Sequence, residues 1–507
     1  MGDIPLVSPK IWLKASGCSG IMAEPDCDCS CPVAISPVLS EIDLGMRVQQ
    51  LHTKASQIVS MDQEAFILGD IKEHQMVLNK CTGDLVVVDS EVGHLLSLLP
   101  MQLTGLREKL ATWPLTILDQ TLALLCATRT LSISQTFTPL STRRELATLT
   151  AWLHLTEACN MACTYCYTPK TSRRMIAATA YSAVEALVHS ARAHGYRKVK
   201  IKYAGGEPTL NFEVLQVAQK HSEFLTTQYG LGLDTVLLTN GLAIAENQMD
   251  FLIEHAIRVS VSLDALGSIQ DGQRPQIEAG SSFVSVTRTL DQLQARGIQP
   301  HISITLTRWN LPYLPELVSY LLERQLLFSF NFYRPTVNDW ATDPLAFTAD
   351  EALGSLNRAF DMLEQRLPKY SLLGSLSDRA NLNAPHSKTC GVGENYMVIG
   401  TRGEVYKCQM DLGNSAPVTT LANDDPLTCL RTDIQGTQNL RVEDKECKDC
   451  TWRYYCTGGC PRLTYQQTGR YDAKSPLCEL YQEILPRIVR LEALRLMQFE
   501  KQCVFTA

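Results

Sequence analysis

Three cysteines within eight residues carry the clearest chemical signal of this chain. Cys159, Cys163 and Cys166 lie in the stretch ACNMACTYCY, and an aromatic residue, Tyr165, precedes the last of them. Thiolates are soft ligands that suit iron–sulfur clusters or zinc. A structural zinc site needs four ligands, and a fourth is missing nearby. The spacing favours an iron–sulfur cluster held by three thiolates, with one iron open to a small molecule; a structural metal knuckle stays the alternative.

The carboxy-terminal region holds a second set of cysteines. Cys390 and Cys408 form a C-x12-G-x4-C pattern, the stretch CKDCTWRYYCTGGC follows with C-x2-C-x5-C-x3-C spacing, and Cys478 comes last. A reducing compartment disfavours a disulfide framework, and clustered intracellular cysteines more often bind metal. The pattern therefore indicates metal sites. Zinc fits such spacings as well as iron–sulfur clusters do, so a pair of zinc knuckles stays open.

Composition excludes several classes of function. The chain has 507 residues, 45% of them hydrophobic and 20% charged, and a net charge of −7. This length predicts several domains, and the acidic balance argues against a nucleic-acid binder. The first residues, MGDIPLVSPKIWLKASG, lack the features of a signal peptide, and no apolar run is long enough to cross a membrane. We expect a cytoplasmic protein that does not bind membranes.

Alternating strands and helices must position the first cysteine triplet. The strands are predicted from apolar runs at WLHLT (152–156), KVKIKYA (198–204), DTVLLT (234–239), RVSVSL (258–263), HISITL (301–306) and LFSFNFY (327–333). Amphipathic helices separate them, which is typical of a parallel sheet. Six such units predict an α/β fold, a partial (β/α)6 barrel of the TIM type. The triplet directly follows the first strand, at the end of the barrel where chemistry occurs.

The region from 41 to 140 has a different pattern. MVLN (76–79) and LVVVD (85–89) flank a turn and predict a hairpin, after which Ser90 is expected to cap a helix. Two more helices are predicted around 104–112 and 116–131. Before this region, Cys27, Cys29 and Cys31 alternate in PDCDCSC; they could bind a metal or belong to a loose tail.

The order of motifs along the barrel resembles the radical S-adenosylmethionine (SAM) superfamily. The motifs are C-x3-C-x-aromatic-C after the first strand, YAGGEPTL after the second, LLTNG after the third and VSLDA after the fourth. The resemblance implies that Cys159, Cys163 and Cys166 hold a catalytic [4Fe–4S] cluster whose open iron chelates SAM. The residues it implies as SAM contacts are Gly205, Gly206 and Glu207 at the amino group, Asn240, Ser262 and Asp264 at the ribose or methionine moiety, and Tyr165 near the adenine.

The carboxy-terminal cysteines resemble the SPASM extension of radical SAM enzymes that modify peptides or proteins. The resemblance implies two auxiliary [4Fe–4S] clusters, three clusters in all. The first would be held by Cys390, Cys408 and Cys460, and the second by Cys447, Cys450, Cys456 and Cys478. The fourth ligand of the first cluster stays open: no cysteine precedes Cys390 in NAPHSKT, so an iron is exposed to substrate unless Cys429 or a tail cysteine reaches it.

One position departs from the anaerobic sulfatase maturases, which carry an aspartate directly after the position of Cys408. This chain has Gln409 there, which disfavours oxidation of a sulfatase residue to formylglycine. Asp411 is the nearest carboxylate that could replace the missing base. It is more simply a surface residue.

The 41–140 pattern resembles the winged-helix-like domain that recognises precursor peptides (RRE-like). A leader peptide could add a strand to its sheet edge, and a stabilising cap is the alternative. The predicted domains are a Cys-containing N-terminal extension (1–40), this α+β module (41–140), the barrel (145–335), a bridging helical region (336–385), an irregular cysteine-rich SPASM domain (386–485) and a terminal helix (486–507).

The sequence therefore predicts a maturase that removes hydrogen from a residue of a ribosomal precursor peptide (RiPP) through a 5′-deoxyadenosyl radical. The expected product is an intramolecular cross-link, either a thioether or a C–C or C–O macrocycle. A flavodoxin or ferredoxin would supply electrons. Two alternatives stay open: maturation of a folded protein partner, of the formylglycine or quinone-cofactor kind, and a non-catalytic iron–sulfur electron carrier. The oligomeric state is not predicted.

Overall fold

The computed structural model describes residues 9–13, 48, 51, 57–133, 148–335, 342–499 and 503–504. Cys27, Cys29 and Cys31 lie outside these ranges, so the expectation for them stays a prediction. Within the described ranges, no helix combines the length and the apolarity that crossing a bilayer requires.

Between residues 57 and 133, the described N-terminal region forms strands of two small antiparallel sheets and three helices. The elements in chain order are β1 (Lys10–Leu13), β2 (Ile58–Met61), β3 (Ala65–Ile71), β4 (His74–Asn79), β5 (Leu85–Val88), α1 (Ser90–Ser97), β6 (Met101–Gln102), α2 (Leu103–Lys109), α3 (Leu115–Ala127) and β7 (Leu131–Ile133). The predicted hairpin is confirmed as β4 and β5. The predicted cap of α1 is wrong: Asp89 caps the helix, because its Oδ1 accepts from Val92 N at 3.0 Å.

Strand β5, in the larger N-terminal sheet, is buried on both faces. The order of this sheet is the strand Cys503–Val504, then β1, β5, β4 and β3. Val86 and Val88 of β5 pack with the helices of this region, whereas the residue between them, Val87, joins the main core of the protein. This alternation follows from the two-residue period of a strand. The sheet thus connects the N-terminal helices to the rest of the chain.

The middle of the chain is a run of six βα units, as predicted. The elements are β8 (Thr148–His154), α4 (Ala177–Ala193), β9 (Lys198–Ala204), α5 (Phe212–Tyr229), β10 (Gly232–Thr239), α6 (Glu246–Glu254), β11 (Arg258–Ser262), α7 (Gly267–Gln273), α8 (Ser282–Ala295), β12 (His301–Leu306), α9 (Leu314–Glu323) and β13 (Leu327–Phe332). All six strands pair in parallel and in chain order, and β8 and β13 do not pair, so the sheet does not close.

The apolar runs in the sequence suggested strands that are apolar on both faces. In the structure, only one face of the barrel strands is mainly apolar. Alternate residues such as Ile302 and Ile304 pack under the helices. The residues between them are often polar and still buried, among them Lys202, Ser260 and His301. Neighbouring strands satisfy these groups in part, since Ser260 Oγ lies 3.4 Å from His301 Nδ1. The inner face of the sheet is therefore a polar surface beneath the active end.

The C-terminal region continues the same sheet and then becomes irregular. Its elements are α10 (Ala349–Gln365), β14 (Tyr396–Ile399), β15 (Glu404–Tyr406), β16 (Thr419–Thr420), α11 (Pro426–Thr432), α12 (Arg453–Cys456), α13 (Pro461–Thr468) and α14 (Cys478–Phe499). β14 pairs in parallel with β8, which joins this region to the first strand of the barrel.

The terminal helix expected over 486–507 begins earlier, at Cys478, and the structure describes it as far as Phe499. Pro486 lies inside it. Ion pairs fasten the helix to α10, with Arg490 Nη2 3.0 Å from Glu364 Oε1.

The N-terminal sheet also contacts the cysteine-rich segment. The Tyr455 hydroxyl of α12 donates to the carbonyl oxygen of Asn79 at 3.1 Å, and both groups are buried. The rings of Phe66 and Trp452 meet edge to face with centroids 6.4 Å apart.

Candidate active site

Two neighbouring segments fix the loop of the first cysteine triplet. On one side the loop pairs with the chain after α7, since Ala162 N donates to Pro275 O at 2.9 Å and Thr164 N to Gln273 O at 3.0 Å. On the other side Glu207 N donates to Ala158 O at 2.9 Å. The loop is thus held between the second and fourth strand ends, which no local sequence signal could reveal.

Gly205 and Gly206 are required by the close approach of this loop. A Cβ on Gly205 would lie 2.5 Å from the carbonyl oxygen of Thr156, and one on Gly206 would lie 2.3 Å from that of Ala158. Gly205 also has a φ of +156°. The glycines therefore let the chain's own backbone approach closely, directly before Cys159.

The three cysteines of the loop are partly buried thiols. Cys159 Sγ accepts from Met161 N at 3.4 Å and from Asn240 Nδ2 at 3.8 Å. Burial raises the pKa of Cys163, and Arg274 partly opposes this effect. Such donors and a nearby cation stabilise thiolates, so the residues fit an anionic iron–sulfur group.

Among the described residues, no three His, Cys, Asp or Glu side chains converge as they would around a single metal ion. A [4Fe–4S] cube binds each thiolate through a different iron, so its ligands do not converge on one point. The placement of the three thiols is thus compatible with a [4Fe–4S] cluster.

Glu207 is buried and organises the ends of β9 and β10. Its Oε1 accepts from Thr209 Oγ1 at 2.8 Å and from Thr239 Oγ1 at 2.9 Å, and its Oε2 accepts from Asn240 N at 2.7 Å. Burial raises the pKa of this carboxyl, and these donors oppose the shift. A carboxylate oxygen accepts about two bonds, so Oε2 has room for one further donor such as an ammonium.

Tyr165, Asp264 and Arg274 form a buried polar group beside the triplet. The Tyr165 hydroxyl donates to Asp264 Oδ2 at 2.6 Å and accepts from Arg274 Nη1. Asp264 Oδ1 accepts from Thr305 N at 2.8 Å. Burial raises the pKa of Tyr165 well above its ordinary value, so its hydroxyl stays protonated. Arg274 was not predicted from the sequence, because a single arginine after a helix carries no motif.

The other two predicted SAM contacts also lie at this end of the sheet. Asn240 is buried and its Nδ2 donates to Asn160 Oδ1 at 2.7 Å. Ser262 ends β11, where it pairs with Ser303 of β12. The structure thus brings all the predicted contacts to the ends of four adjacent strands.

A cavity of about 120 Å³ joins the first triplet loop to the carboxy-terminal cysteines. Its walls include Tyr165 and Tyr167 of the loop, together with Cys390, Cys408 and Cys460. Burial raises the pKa of Cys390, and raises that of Cys408 to about 12. Burial also opposes ionisation of Cys460, but nearby arginines outweigh it and lower the pKa of this thiol.

The remaining four cysteines form a separate group. Cys447, Cys450, Cys456 and Cys478 are electrostatic neighbours of one another. Lys445 lies between this group and the first one, and its Nζ donates to Thr457 O at 2.8 Å. The grouping agrees with the two ligand sets that the sequence resemblance implies, and the buried ammonium suits anionic groups on both sides.

Two alternatives left open by the sequence can be located. Cys429 lies on α11, where its Sγ accepts from Asn423 Nδ2 at 3.3 Å, and it is absent from the cavity wall. Asp411 was expected to be a surface residue, and this expectation is wrong. Its side chain is buried, with the residue 6% exposed, and pairs with Arg462. Burial raises its pKa, and it faces a larger outer cavity of about 660 Å³. Gln409 lines the inner cavity instead.

Comparison with known proteins identifies the class. Residues 153–319 match the radical SAM superfamily, and they span the parallel sheet and the triplet described above. The chain therefore carries a radical SAM domain and is an enzyme. A match to this superfamily implies that the domain uses a [4Fe–4S] cluster and SAM.

The relatives of this chain include sulfatase-maturating and peptide-cyclising enzymes. The cysteine-type anaerobic sulfatase-maturating enzyme of Clostridium perfringens is 22% identical over 368 residues, which are 66% of this chain and 95% of that enzyme. The PqqA peptide cyclase of Xanthomonas euvesicatoria pv. vesicatoria is 25% identical over 361 residues, which are 65% of this chain and 87% of the cyclase.

Two solved structures share the fold. One is anSMEcpe with bound AdoMet, with a TM-score of 0.57 and 20% identity, covering 69% of this chain and 98% of that chain. The other is Streptococcus suis SuiB bound to its precursor peptide SuiA, with a TM-score of 0.50 and 16% identity, covering 83% of this chain and all of SuiB.

Proposed function

We propose that this enzyme modifies a ribosomally made precursor peptide and forms an intramolecular cross-link in it. One observation carries the proposal: a single cavity is lined both by the loop of the first cysteine triplet and by Cys390, Cys408 and Cys460. A peptide side chain in this cavity would contact both groups. The names of two relatives, a PqqA peptide cyclase and SuiB with its precursor peptide, support a peptide substrate.

Three [4Fe–4S] clusters are part of the proposal, held by the three cysteine groups described above. Bound SAM and its cluster would supply a radical able to remove hydrogen from an unactivated carbon. The residues of the chain would bind SAM and orient it. Glu207 Oε2 would accept from the SAM ammonium, and Asn240, Ser262, Asp264 and Tyr165 would line the rest of the molecule.

The N-terminal module, about 41–140, would bind the leader of the precursor. Strand addition needs an unpaired sheet edge. The outer edge of β5 is already paired with β1, so we place the leader along β3, the strand at the other end of the sheet. Ile67 of β3 is 49% exposed and would contact an apolar leader side chain.

The bond formed follows from what the cavity contains. Gln409 takes the place of the aspartate that sulfatase maturases carry after Cys408, and Asp411 faces the outer cavity, which argues against formylglycine formation. Three cysteines at the first auxiliary site leave an iron open to a substrate thiolate, which favours a thioether. A C–C or C–O macrocycle is the second candidate.

The test is anaerobic co-expression with a candidate precursor peptide, followed by mass spectrometry of the peptide. We expect a loss of two hydrogens and release of 5′-deoxyadenosine when reduced enzyme meets SAM. The Cys163→Ala variant should lose both signals. Absence of 5′-deoxyadenosine from iron-loaded wild type would favour the electron-carrier alternative, whereas deoxyadenosine with a peptide of unchanged mass would exclude a cross-link.

A further inference from the structure

An unbalanced positive charge lies in the wall of the inner cavity. Arg334 and Arg379 line this cavity with side chains 13% and 11% exposed, and Asp378, whose side chain is 4% exposed, contacts both. Asp378 forms a close ion pair with Arg334 Nη2 and lies 3.9 Å from Arg379 Nε. One carboxylate thus faces two guanidinium groups. Asp378 has a φ of +49°, an uncommon conformation that persists where the surroundings hold it in place.

The excess charge faces the cysteines. Arg334 hydrogen-bonds Cys460, and its buried Nε has no hydrogen-bond partner within the described part of the chain. Arg379 is an electrostatic neighbour of Cys390 and Cys460. Arg462 also lines the cavity, but Asp411 pairs with it at 2.5 Å and balances its charge.

In the described part of the chain, the main electrostatic neighbours of the second auxiliary group include no such pair of arginines. The cations that act on Cys447 and Cys478 are lysines, namely Lys445 and Lys474. Lys445 faces both groups, so it does not distinguish them. Arg334 acts on Cys460, and Arg379 acts on Cys390 and Cys460, all of them members of the first group.

We propose that Arg334 and Arg379 raise the reduction potential of the cluster held by Cys390, Cys408 and Cys460 above that of the cluster held by the second auxiliary group. This inference rests on the proposed function, which assigns clusters to both groups. Reduction adds negative charge, and buried cations and hydrogen bonds to the sulfurs stabilise the reduced state. The first auxiliary cluster is then the better electron acceptor of the two. Both arginines would act through the cluster and its cysteines and would not contact the reacting atoms of the substrate.

The test is a redox titration of the anaerobically purified, iron-loaded full chain, followed by electron paramagnetic resonance. The Cys460→Ala variant identifies the signal of the first auxiliary cluster. We expect Arg379→Gln to lower the midpoint potential of that signal, with a change of at least tenfold in its oxidised-to-reduced ratio at a fixed potential, and Arg379→Lys to retain most of the wild-type value. The other signals should not move.

Two more variants complete the design. Asp378→Asn adds net positive charge and should move the same potential upward, which keeps the test decisive if Arg379→Gln loads iron poorly. Arg441→Gln removes an exposed arginine paired with Glu443 in the same region and should leave every potential unchanged.

Equal potentials in wild type, Arg379→Gln and Asp378→Asn would overturn the inference. Equal shifts for Arg379→Gln and Arg379→Lys would also overturn it, because packing rather than charge would then be responsible. A wild-type chain whose iron content and spectra reveal one cluster, with no signal lost in Cys460→Ala, would instead contradict the proposed function.

Discussion

The Tyr165 hydroxyl and the Asp264 carboxylate are joined by a 2.6 Å hydrogen bond across 99 residues of sequence. The bond links the loop of the first cysteine triplet to the end of the fourth barrel strand. Since Arg274 donates to the same hydroxyl, the contact is a buried, charged network rather than an isolated pair.

Removing this hydroxyl should impair catalysis. Tyr165→Phe leaves Asp264 and Arg274 each without one partner, and hydrogen bonds to charged groups contribute about 1.5–3 kcal/mol. We expect the rate of 5′-deoxyadenosine formation to fall about tenfold or more, with iron content retained, since about 1.4 kcal/mol corresponds to a factor of ten. Tyr181→Phe, at a tyrosine that is 44% exposed on α4, is the control. Equal rates for Tyr165→Phe and Tyr181→Phe would show that the Tyr165 hydroxyl does not contribute to catalysis.

A methyl group at Gly206 should displace the cluster loop. The new Cβ would lie 2.3 Å from the carbonyl oxygen of Ala158, and forcing atoms into a packed site costs about 1–3 kcal/mol. Gly206→Ala should therefore lower the thermal midpoint and the iron bound at the first triplet. Gly272→Ala is the control, because its Cβ would meet nothing within 4 Å. A Gly206→Ala enzyme with wild-type iron and stability would contradict the close packing.

Acid should weaken the fold through His154. Burial lowers the pKa of this residue from 6.5 to about 4, although Glu157 and Glu404 oppose the shift. Between these pH values only the unfolded chain binds the proton, so the free energy of unfolding falls as the pH falls, by about 3 kcal/mol at 1.36 kcal/mol per pH unit. His386 has a similarly low pKa for the same reason.

The measurement is the urea midpoint of the metal-free chain between pH 6.5 and pH 4.5. His154→Phe should reduce the slope by about half, because His386 still contributes. His94→Gln, at an exposed position of α1, should leave the slope unchanged. An unaltered slope in His154→Phe would show that the buried imidazole does not set the acid sensitivity.

Leader binding should depend on the exposed edge of β3. A charge at Ile67 removes an apolar contact, which at about 25 cal/mol per Å² is a substantial part of a short peptide's affinity. Ile67→Glu should weaken binding of the precursor, measured by fluorescence anisotropy, about tenfold or more. Ile253→Glu is the matched control, since this isoleucine is 47% exposed on α6. Equal affinities of Ile67→Glu and Ile253→Glu for the precursor would show that the leader does not bind along β3.

Sequence reasoning placed the barrel strands within a few residues, because their hydrophobic runs are bounded by turn residues; KVKIKYA and HISITL match β9 and β12 residue for residue. It could not find Arg334, Arg379 or Lys445, since a buried cation has no local pattern and is defined only by what folds around it. The burial of Asp411 was missed for the same reason.

Under the proposed function, the contact between Tyr455 and Asn79 would couple iron loading to precursor binding. Tyr455 stands one residue before Cys456, and Asn79 ends the strand that pairs with β3. A chain that has not received its metal at Cys447, Cys450 and Cys456 would leave that hairpin without a firm support. Enzyme without this cluster would then bind the precursor more weakly than the loaded enzyme, so the peptide would be bound mainly by enzyme able to modify it.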